Sequence, residues 1–300
     1  MVLAERQATG RTVGTASMPE RRSFWEFFQQ MRRVRMAVPS AAVLLFFLLL
    51  AALADVVAPV NPMAQDLGNG LRPPSPEHLL GTDELGRDVL SRVILGSRVS
   101  MEVGVLANLL ALALGVPLGL IAGYSRNMLD SLIMRIMDGL LAFPVLILAI
   151  AIAAALGPSL ANVIIAVGAV QMPFIARLAR GVTLSVREQE FVLAAVALGA
   201  RDTRILLHHI LPNIIAPIMV QTALSVSFAI VAEASLSFLG VGIQPPQPSW
   251  GNMLQTGYRY IEIAPWLVLT PGVGIFLTVL AFNFLGDGFR DALDPRMRKV

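Results

Sequence analysis

The 300-residue sequence contains no cysteine, which excludes disulfide frameworks, thiolate nucleophiles and cysteine-ligated metal sites. Charged residues are also scarce, because they make up 14% of the chain whereas 56% of its residues are hydrophobic. Soluble globular domains contain about a quarter of charged residues. The composition therefore predicts a protein that crosses a membrane several times.

Motifs of nucleotide, metal and peptide-bond chemistry are missing as well. No Walker A glycine loop with its lysine occurs, so we do not expect this chain to bind ATP in that way. The adjacent histidines His208 and His209 lack the spacing of an HExxH metal motif. Neither a GxGD pattern nor a nucleophile elbow indicates a protease, although a Ser–His pairing stays open. We therefore expect no catalytic residue, cofactor or metal site in this chain.

Long apolar runs predict six transmembrane helices, each long enough to cross about 30 Å of hydrocarbon. The first run covers residues 36–54 and belongs to a first transmembrane segment at 36–58. The second run covers 103–125. The uncharged run 139–176 is nearly two membrane thicknesses long, and Gly-Pro-Ser at 157–159 divides it into a helical hairpin. The fifth and sixth spans cover residues 213–232 and 263–286.

The distribution of basic residues predicts the orientation of these spans. Seven precede the first span, two lie between the second and third, five lie between the fourth and fifth, and four follow the sixth, so 18 of the 23 fall on one side. The positive-inside rule places that side, with both termini, in the cytoplasm. The arginines are scattered near span ends rather than clustered, which argues against a nucleic-acid partner.

This topology assigns the polar segments of the chain to the two sides of the membrane. Residues 1–35 are predicted to form a cytoplasmic segment that is partly disordered, with an amphipathic helix at the membrane surface over 23–35. Residues 59–98 are then periplasmic, and residues 288–300 form a cytoplasmic tail.

Two features inside the spans are candidate sites. Gly115, Gly119 and Gly123 recur at four-residue spacing, which predicts a face that packs closely against another helix. Glu233 lies near the outer end of the fifth span, and a charge at that depth is functional by default. Its two interpretations are a position on a translocation path and a hydrogen bond between packed helices.

The polar stretch 183–213 between the fourth and fifth spans predicts a helix–turn–helix that docks a partner. Ser185 and Glu188 have the spacing of a capping box, Gly199 suits a left-handed helix end, Asp202 suits a second cap, and Pro212 is expected to end the second helix. The residues predicted to form the docking site are Ala194, Ala195, Gly199, Ala200, Asp202, Leu206, Leu207, Ile210, Leu211 and Pro212.

The same stretch resembles the EAA loop of permease subunits in bacterial ABC importers. That loop has Glu-Ala-Ala, a glycine four residues later, and Leu-Pro twelve and thirteen residues after the glycine. Ala194, Ala195 and Gly199 fall in this register, as do Leu211 and Pro212. The sequence departs from the pattern at two positions, where Leu193 stands in place of the glutamate and His209 in place of an isoleucine.

Three further blocks, at residues 81–100, 234–254 and 277–296, resemble the second permease of dipeptide, oligopeptide and glutathione importers. The similarity extends from about residue 23 to the C-terminus. It implies a type I ABC importer permease fold with a five-helix core at 99–287. The blocks near residues 81–100 and 244–251 face the periplasm in this topology, where the first is expected to be structural or to touch a binding protein, and the second to be a gate or a docking surface.

The resemblance also implies partners and a mechanism. The partners are a homologous second permease in a heterodimer, two cytoplasmic ATPase subunits that bind ATP and Mg, and a periplasmic or lipid-anchored solute-binding protein. The mechanism is ATP-driven import of di- or oligopeptides by alternating access in the bacterial inner membrane. The alternatives are the same architecture carrying glutathione, nickel or an opine, and an intramembrane hydrolase that acts without ATPase partners.

Overall fold

A computed structural model describes residues 36–125 and 127–293 of the chain. These residues form helices that are joined by turns and loops, and no strand occurs among them. The predicted amphipathic helix at 23–35 and the tail beyond residue 293 lie outside the described residues. The helices are α1 (Ala37–Ala52), α2 (Val89–Tyr124), α3 (Met128–Leu141), α4 (Val145–Leu156), α5 (Leu160–Arg187), α6 (Glu190–Ala197), α7 (Leu211–Phe238), α8 (Trp250–Tyr258) and α9 (Trp266–Leu293).

Four helical stretches in the described residues are long and apolar enough to cross a membrane: Val89–Tyr124, Leu160–Arg187, Asp202–Phe238 and Trp266–Ala292. The pair α3 and α4 adds a fifth if the two helices together form one bent span. Helix α1 is apolar but has only 16 residues, or about 24 Å of helix. The all-helical membrane architecture is confirmed, and the count of six spans stays a prediction.

The predicted third span is not a continuous helix. Helices α3 and α4 meet at an angle of 91° across residues 142–144. Pro144 is the N-cap of α4, and a proline disfavours helical backbone at the residue before it, here Phe143. The apolar composition of residues 139–156 hides this break, so the uncharged run predicted a longer helix than the chain forms.

The break between α4 and α5 lies where the sequence predicts it. Gly157 adopts a positive φ of 88°, which glycine tolerates without steric cost. The Ser159 side chain then accepts a hydrogen bond from the Asn162 backbone N–H at 3.1 Å and caps α5. Two turn-forming residues and a cap therefore reverse the chain within a continuous apolar run.

Helix α2 begins at Val89, fourteen residues before the predicted span. Asp88 caps it by accepting a hydrogen bond from Ser91 N–H at 2.8 Å. Asp83, Arg87 and Arg92, which precede the apolar run, are buried. Their charges are paired, because Asp83 Oδ2 lies 2.6 Å from Arg87 Nε and 3.4 Å from Arg92 Nε. Paired charges allow the helix to extend through a sequence that hydropathy alone assigns to a loop.

Four charged residues of the block 81–100 thus pair among themselves and hold the loop before α2 in place, namely Asp83, Glu84, Arg87 and Arg92. Arg87 also donates from Nη2 to Glu84 Oε1 at 3.1 Å. Burial is the largest cause of a raised pKa of the Glu84 carboxyl group, and the neighbouring Asp83 carboxylate adds to it. The geometry is that of a structural unit at the Asp88 end of α2.

The same end of the molecule carries α8, which is anchored by a single aromatic side chain. Trp250 has no exposed surface, donates from Nε1 to the Val93 carbonyl at 3.1 Å and packs edge-on against Phe47, with 5.6 Å between ring centroids. Ser249 and Asn252 form a complete capping box at the start of α8. Residues 244–247 of the preceding loop are exposed.

The centre of the fold is the close contact between α2 and α5. A Cβ atom added at Gly119 would lie 2.6 Å from the Ala179 Cβ and against the Ala176 carbonyl, and one added at Gly123 would lie 2.6 Å from the Thr183 Cβ. At Gly115 the nearest atom would be the Met172 carbonyl oxygen at 2.8 Å. The three glycines therefore face α5 along one line, and the backbones approach more closely than larger residues permit.

Helix α9 extends seven residues past the predicted end of the sixth span. Residues 288–293, assigned to the tail on composition, therefore belong to this helix. Gly288 lies against α1, because an added Cβ there would meet the Ala37 Cβ at 2.9 Å. Packing against another helix, which hydropathy does not register, keeps the polar C-terminal turns helical.

Substitution of Gly119 tests the α2–α5 contact. We expect Gly119→Ala to destabilise the protein by about 1–3 kcal/mol, because the added methyl group has no space against α5. The control is Gly181→Ala on α5, where an added Cβ meets nothing within 4 Å. Both changes raise helix propensity by about 1 kcal/mol, so their difference isolates packing. The melting temperature of the purified protein in detergent measures the effect, and equal values for the two variants would contradict this contact.

Candidate functional site

The candidate site is the segment between α5 and α7, and its first element is the short helix α6. Helix α5 continues to Arg187, so the predicted capping box of Ser185 and Glu188 is wrong. Val182 and Val186 pack against the apolar cluster below the segment and keep these turns of α5 helical. Helix α6 instead starts after Gln189, which makes no side-chain cap.

Gly199 ends α6 in the manner that the sequence predicts. Its φ is 76°, in the left-handed region. Its N–H donates to the Val196 carbonyl at 2.9 Å, and the Ala200 N–H donates to the Ala195 carbonyl at 3.1 Å. These two bonds form a Schellman motif, which satisfies the last carbonyls of the helix and turns the chain back.

Asp202 holds the second half of the segment to α2. Its carboxylate oxygen Oδ1 accepts a hydrogen bond from the Tyr124 hydroxyl at 2.7 Å. The residue does not cap a helix as predicted, because Arg201 occupies the N-cap position and makes no side-chain cap. The carboxylate instead joins the segment to the last residue of α2.

Pro212 does not end the second short helix. The helical turn Asp202–Arg204 continues through the π-helical segment Ile205–Ile210 into α7, giving one continuous stretch from Asp202 to Phe238. A proline inside a helix lacks an N–H and clashes with the carbonyl of the preceding turn. The wider π turn before Pro212 removes this conflict, so the segment and the span form a single rod.

An apolar cluster below the segment fixes its position. The buried members come from α2, α5, α6 and α7 as well as the segment itself, and they are Leu120, Ala179, Val186, Val192, Ile205, Ile210, Ile214 and Ile218. Ala200, Leu206 and Leu211 pack against the cluster from its rim. Helix α6 therefore rests on the ends of three long helices.

Exposed apolar side chains flank the buried side of α6. Leu198, just after α6, has 87% of its surface exposed, and Phe191, Leu193 and Val196 of α6 and Leu207 of the π-helical segment are also exposed. We call these five residues the exposed apolar face. Exposed large apolar side chains grouped on one segment mark an interaction site.

The predicted docking residues are divided between the two sides of the segment. Ala194, Leu207 and Pro212 are exposed, whereas Ala195 and Ile210 are buried. Ile210 supports the segment from below instead of offering a contact. Phe191, Val196 and Leu198 were missed by the sequence argument, although the burial of Val192 and Ala195 three residues apart leaves them on the outer side of a helix.

Arginine side chains of α5 join this helix to α2 and α3 next to the segment. Arg187 Nη1 donates to the Gly123 and Tyr124 carbonyls at 2.9 and 3.2 Å, at the C-terminus of α2 where the helix dipole favours a cation. Arg180 forms a bidentate pair with Asp130 of α3 at 2.6 and 2.7 Å. These contacts hold α2, α3 and α5 in one arrangement beneath α6.

Glu233 lies far from this segment and has no exposed surface. Its carboxylate accepts hydrogen bonds from Ser100 of α2 at 3.0 Å and from Ser237 at 2.8 Å. Ser237 Oγ in turn accepts from the Ile243 N–H at 3.1 Å. The geometry corresponds to the helix-packing interpretation, in which Glu233 joins α2, α7 and the loop that follows α7.

No cluster of three or more metal-ligating side chains occurs within residues 36–125 and 127–293. The described chain thus combines long apolar helices, small-residue packing and an exposed apolar face at one end. This combination defines a membrane-embedded subunit of a larger assembly.

The family of the chain follows from its similarity to known proteins. Residues 115–299 match the model of the binding-protein-dependent transport system inner membrane component, and residues 23–74 match the N-terminal transmembrane domain of oligopeptide transport permease C. The chain belongs to the family of binding-protein-dependent inner membrane transport components. It is a multi-pass inner-membrane subunit of an ABC transporter and not an enzyme.

Curated relatives cover nearly the whole chain. The dipeptide transport system permease protein DppC of Alkalihalophilus pseudofirmus is 47% identical over 91% of this chain and 90% of its own length. The di/tripeptide transport system permease protein DppC of Pseudomonas aeruginosa is 44% identical over 92% and 93%. The glutathione transport system permease protein GsiD of Escherichia coli is 44% identical over 98% and 97%.

Gly199 provides a test of the turn after α6. We expect Gly199→Val to destabilise the segment by about 1–2 kcal/mol, because a β-branched residue is strained at positive φ. Gly199→Asn is the control, since asparagine tolerates this region. Open space surrounds the position, so the difference between the variants reports backbone strain alone. Hydrogen exchange of the backbone amides in the turn at Gly199 measures this destabilisation. Equal protection in both variants would disprove the strained turn.

Proposed function

We propose that this protein is a permease subunit of an ATP-driven, binding-protein-dependent importer that carries di- and oligopeptides by alternating access. The observation that carries the proposal is the exposed apolar face on α6 and Leu207. It lies on a segment that contacts α2, α5 and α7 together. A partner bound there acts on three long helices at once.

The partners that bind this face are, in our proposal, cytoplasmic ATPase subunits. The chain has no Walker A loop, so ATP and Mg bind to two such subunits and their energy reaches the membrane through a contact surface. An apolar face suits this task because its burial contributes roughly 25 cal/mol per Å² on association. The Leu193 side chain, at the position where the EAA pattern has glutamate, extends this apolar face.

The contacts beneath the face explain how movement is transmitted. The rod from Asp202 to Phe238 carries displacement directly into the membrane. The Tyr124 hydroxyl connects this rod to α2 through Asp202, and Arg187 connects the end of α5 to α2. Closure of the ATPase pair then favours one packing of the helices over another. The partner thereby shifts the population between two alternative packings of the helices. Alternation between these packings exposes the transport path to each side of the membrane in turn.

The orientation in this proposal places α6 and both termini in the cytoplasm. Five arginines lie between the α5 and α7 spans or at their ends near α6, at positions 177, 180, 187, 201 and 204. The positive-inside rule supports this placement. The loop before α2 and the exposed residues 244–247 then face the periplasm, where a solute-binding protein docks.

We further propose that a homologous second permease completes the transport path as a heterodimer. Large apolar side chains are exposed along the long helices, including Leu109 of α2, Phe174 of α5 and Leu224 of α7. Such surfaces suit both lipid and a second membrane subunit, because neither requires charged groups.

Small peptides are the solute class that the relatives have in common. Two of them are named for dipeptides or di- and tripeptides, and the third for glutathione, which is itself a tripeptide. The identities of 44–47% extend over nine-tenths or more of each chain, so the membrane helices are included in the similarity. These matches support peptides as the solute class.

Reconstitution tests the proposed transport function. Liposomes contain this chain with its homologous permease, the ATPase subunits and the binding protein, and radiolabelled Ala-Ala and S-methylglutathione are supplied outside. We expect ATP-dependent accumulation of at least one of them, and none when ATP is omitted or an ATPase-inactive subunit is used. Import of a metal or an opine with no peptide uptake would overturn the substrate class.

The exposed apolar face is tested by charge substitution. We expect Leu198→Asp to abolish ATPase-subunit binding, because a carboxylate must lose its hydration when it is buried in the interface. Met128→Asp is the matched control, since Met128 is also 87% exposed and begins α3 at the same end of the molecule. Co-purification of the ATPase subunits measures binding. Retention of the ATPase subunits by Leu198→Asp would remove the face from the interface.

A further inference from the structure

A cavity of about 210 Å³ lies between α4, α5 and α7. Its polar lining consists of Gln171 on α5 and of Gln221 and Ser225 on α7, and its apolar walls include Phe174 and Phe228. None of its lining residues is charged. One water molecule needs a cavity volume of only about 10–15 Å³, so this cavity has room for part of an organic solute.

The cavity lies at the middle of the membrane-spanning helices. Gln171 is the twelfth residue of α5 and Gln221 the eleventh of α7, and each helix has 28 residues. Both glutamines are therefore about 15–17 Å from the first residue of their helix, at 1.5 Å per residue. Polar groups at this depth are rare in membrane proteins and mark solute pathways.

Gln171 is the residue that packing does not explain. It is 3% exposed, and neither its carboxamide oxygen nor its nitrogen has a hydrogen-bond partner among the described residues. An unpaired buried amide costs free energy, whereas an apolar side chain of similar size has no such cost. By contrast, the buried carboxylate of Glu233 is fully engaged by serines. The fold therefore gains nothing from an amide at position 171.

We propose that this cavity binds the peptide group of the solute during its passage, with Gln221 and, once its side chain turns into the cavity, Gln171 as the groups that recognise it. A carboxamide donates from its nitrogen and accepts at its oxygen, which is the complement of a backbone amide. This inference rests on the proposed peptide-import function. It adds to that function the protein groups that distinguish a peptide from other small solutes inside the membrane.

The chemistry of the lining also determines which part of the peptide is recognised. With no charged residue among them, these side chains do not pair with the terminal ammonium or carboxylate of a peptide. The rings of Phe174 and Phe228 make part of the wall apolar, and hydrogen bonds to a neutral amide are stronger in apolar surroundings. Recognition of the amide is independent of side-chain identity, so this site accepts many peptide sequences and holds each of them weakly.

The first experiment measures access to the cavity with a thiol. The chain contains no cysteine, so Ser225→Cys introduces its single thiol. In the complete reconstituted transporter we expect methyl methanethiosulfonate to modify Cys at this position, and the imported peptide, Ala-Ala or S-methylglutathione, to slow that modification severalfold. Ser235→Cys, also on α7 but outside the cavity, is the control whose labelling the peptide leaves unchanged.

The second experiment removes the amide. We expect Gln171→Leu to raise the KM for peptide import about tenfold, which corresponds to the loss of one or two net hydrogen bonds. Its melting temperature stays equal to the wild-type value or rises, because an unpaired buried amide has been removed. Gln221→Leu tests the opposite wall independently, with the same rise in KM expected.

The outcomes separate this inference from the proposed function. If the wild-type transporter imports no peptide, the proposed function itself fails. If peptide is imported but does not slow modification of the Ser225→Cys thiol, or if that thiol is covered by lipid or the second permease and never reacts, the cavity is not a peptide site. A lower melting temperature of Gln171→Leu with an unchanged KM would make Gln171 a structural residue and would equally overturn the inference.

Discussion

The approach of α2 to α5 at Gly115, Gly119 and Gly123 is the constraint on which the rest of the structure depends. Backbone atoms of α5 occupy the space where side chains of α2 would lie, so the two helices have one available register. That register brings Arg187 to the last carbonyls of α2 and sets the end of α2 where Tyr124 reaches Asp202. The position of α6, and with it the exposed apolar face, therefore depends on these glycines.

Buried polar groups in the described residues fall into two kinds. Asp83 and Glu233 have their oxygen atoms engaged by arginine, backbone N–H or serine groups, and each joins separate elements of the fold. Gln171 is buried to the same degree without any such partner. The first kind stabilises one arrangement of helices, whereas the second has hydrogen-bonding capacity left for a transiently bound solute.

Those features that depend on local sequence were predictable, and those that depend on tertiary contacts were not. The turn at Gly199, the break at residues 157–159 and the glycine face of α2 each follow from backbone geometry or residue size at known spacing. The early start of α2 depends on the pairing of Arg92 with Asp83, and the passage of the helix through Pro212 depends on a π turn. A hydropathy pattern shows neither which charged residues pair nor whether a helical turn is α or π. It also does not show that Ile210 points towards the interior.

The length of α2 has a mechanical consequence. Its 36 residues extend about 54 Å, whereas the hydrocarbon of a bilayer is about 30 Å thick. The helix is therefore a lever that protrudes from the membrane, with the buried ion pairs of Arg92 at one tip and the Tyr124 hydroxyl at the other. A tilt of about 10° around one tip displaces the other by about 9 Å at this length. A single covalent rod of this length thus joins the two faces of the membrane, and a rotation of the helix at one face would displace its tip at the other.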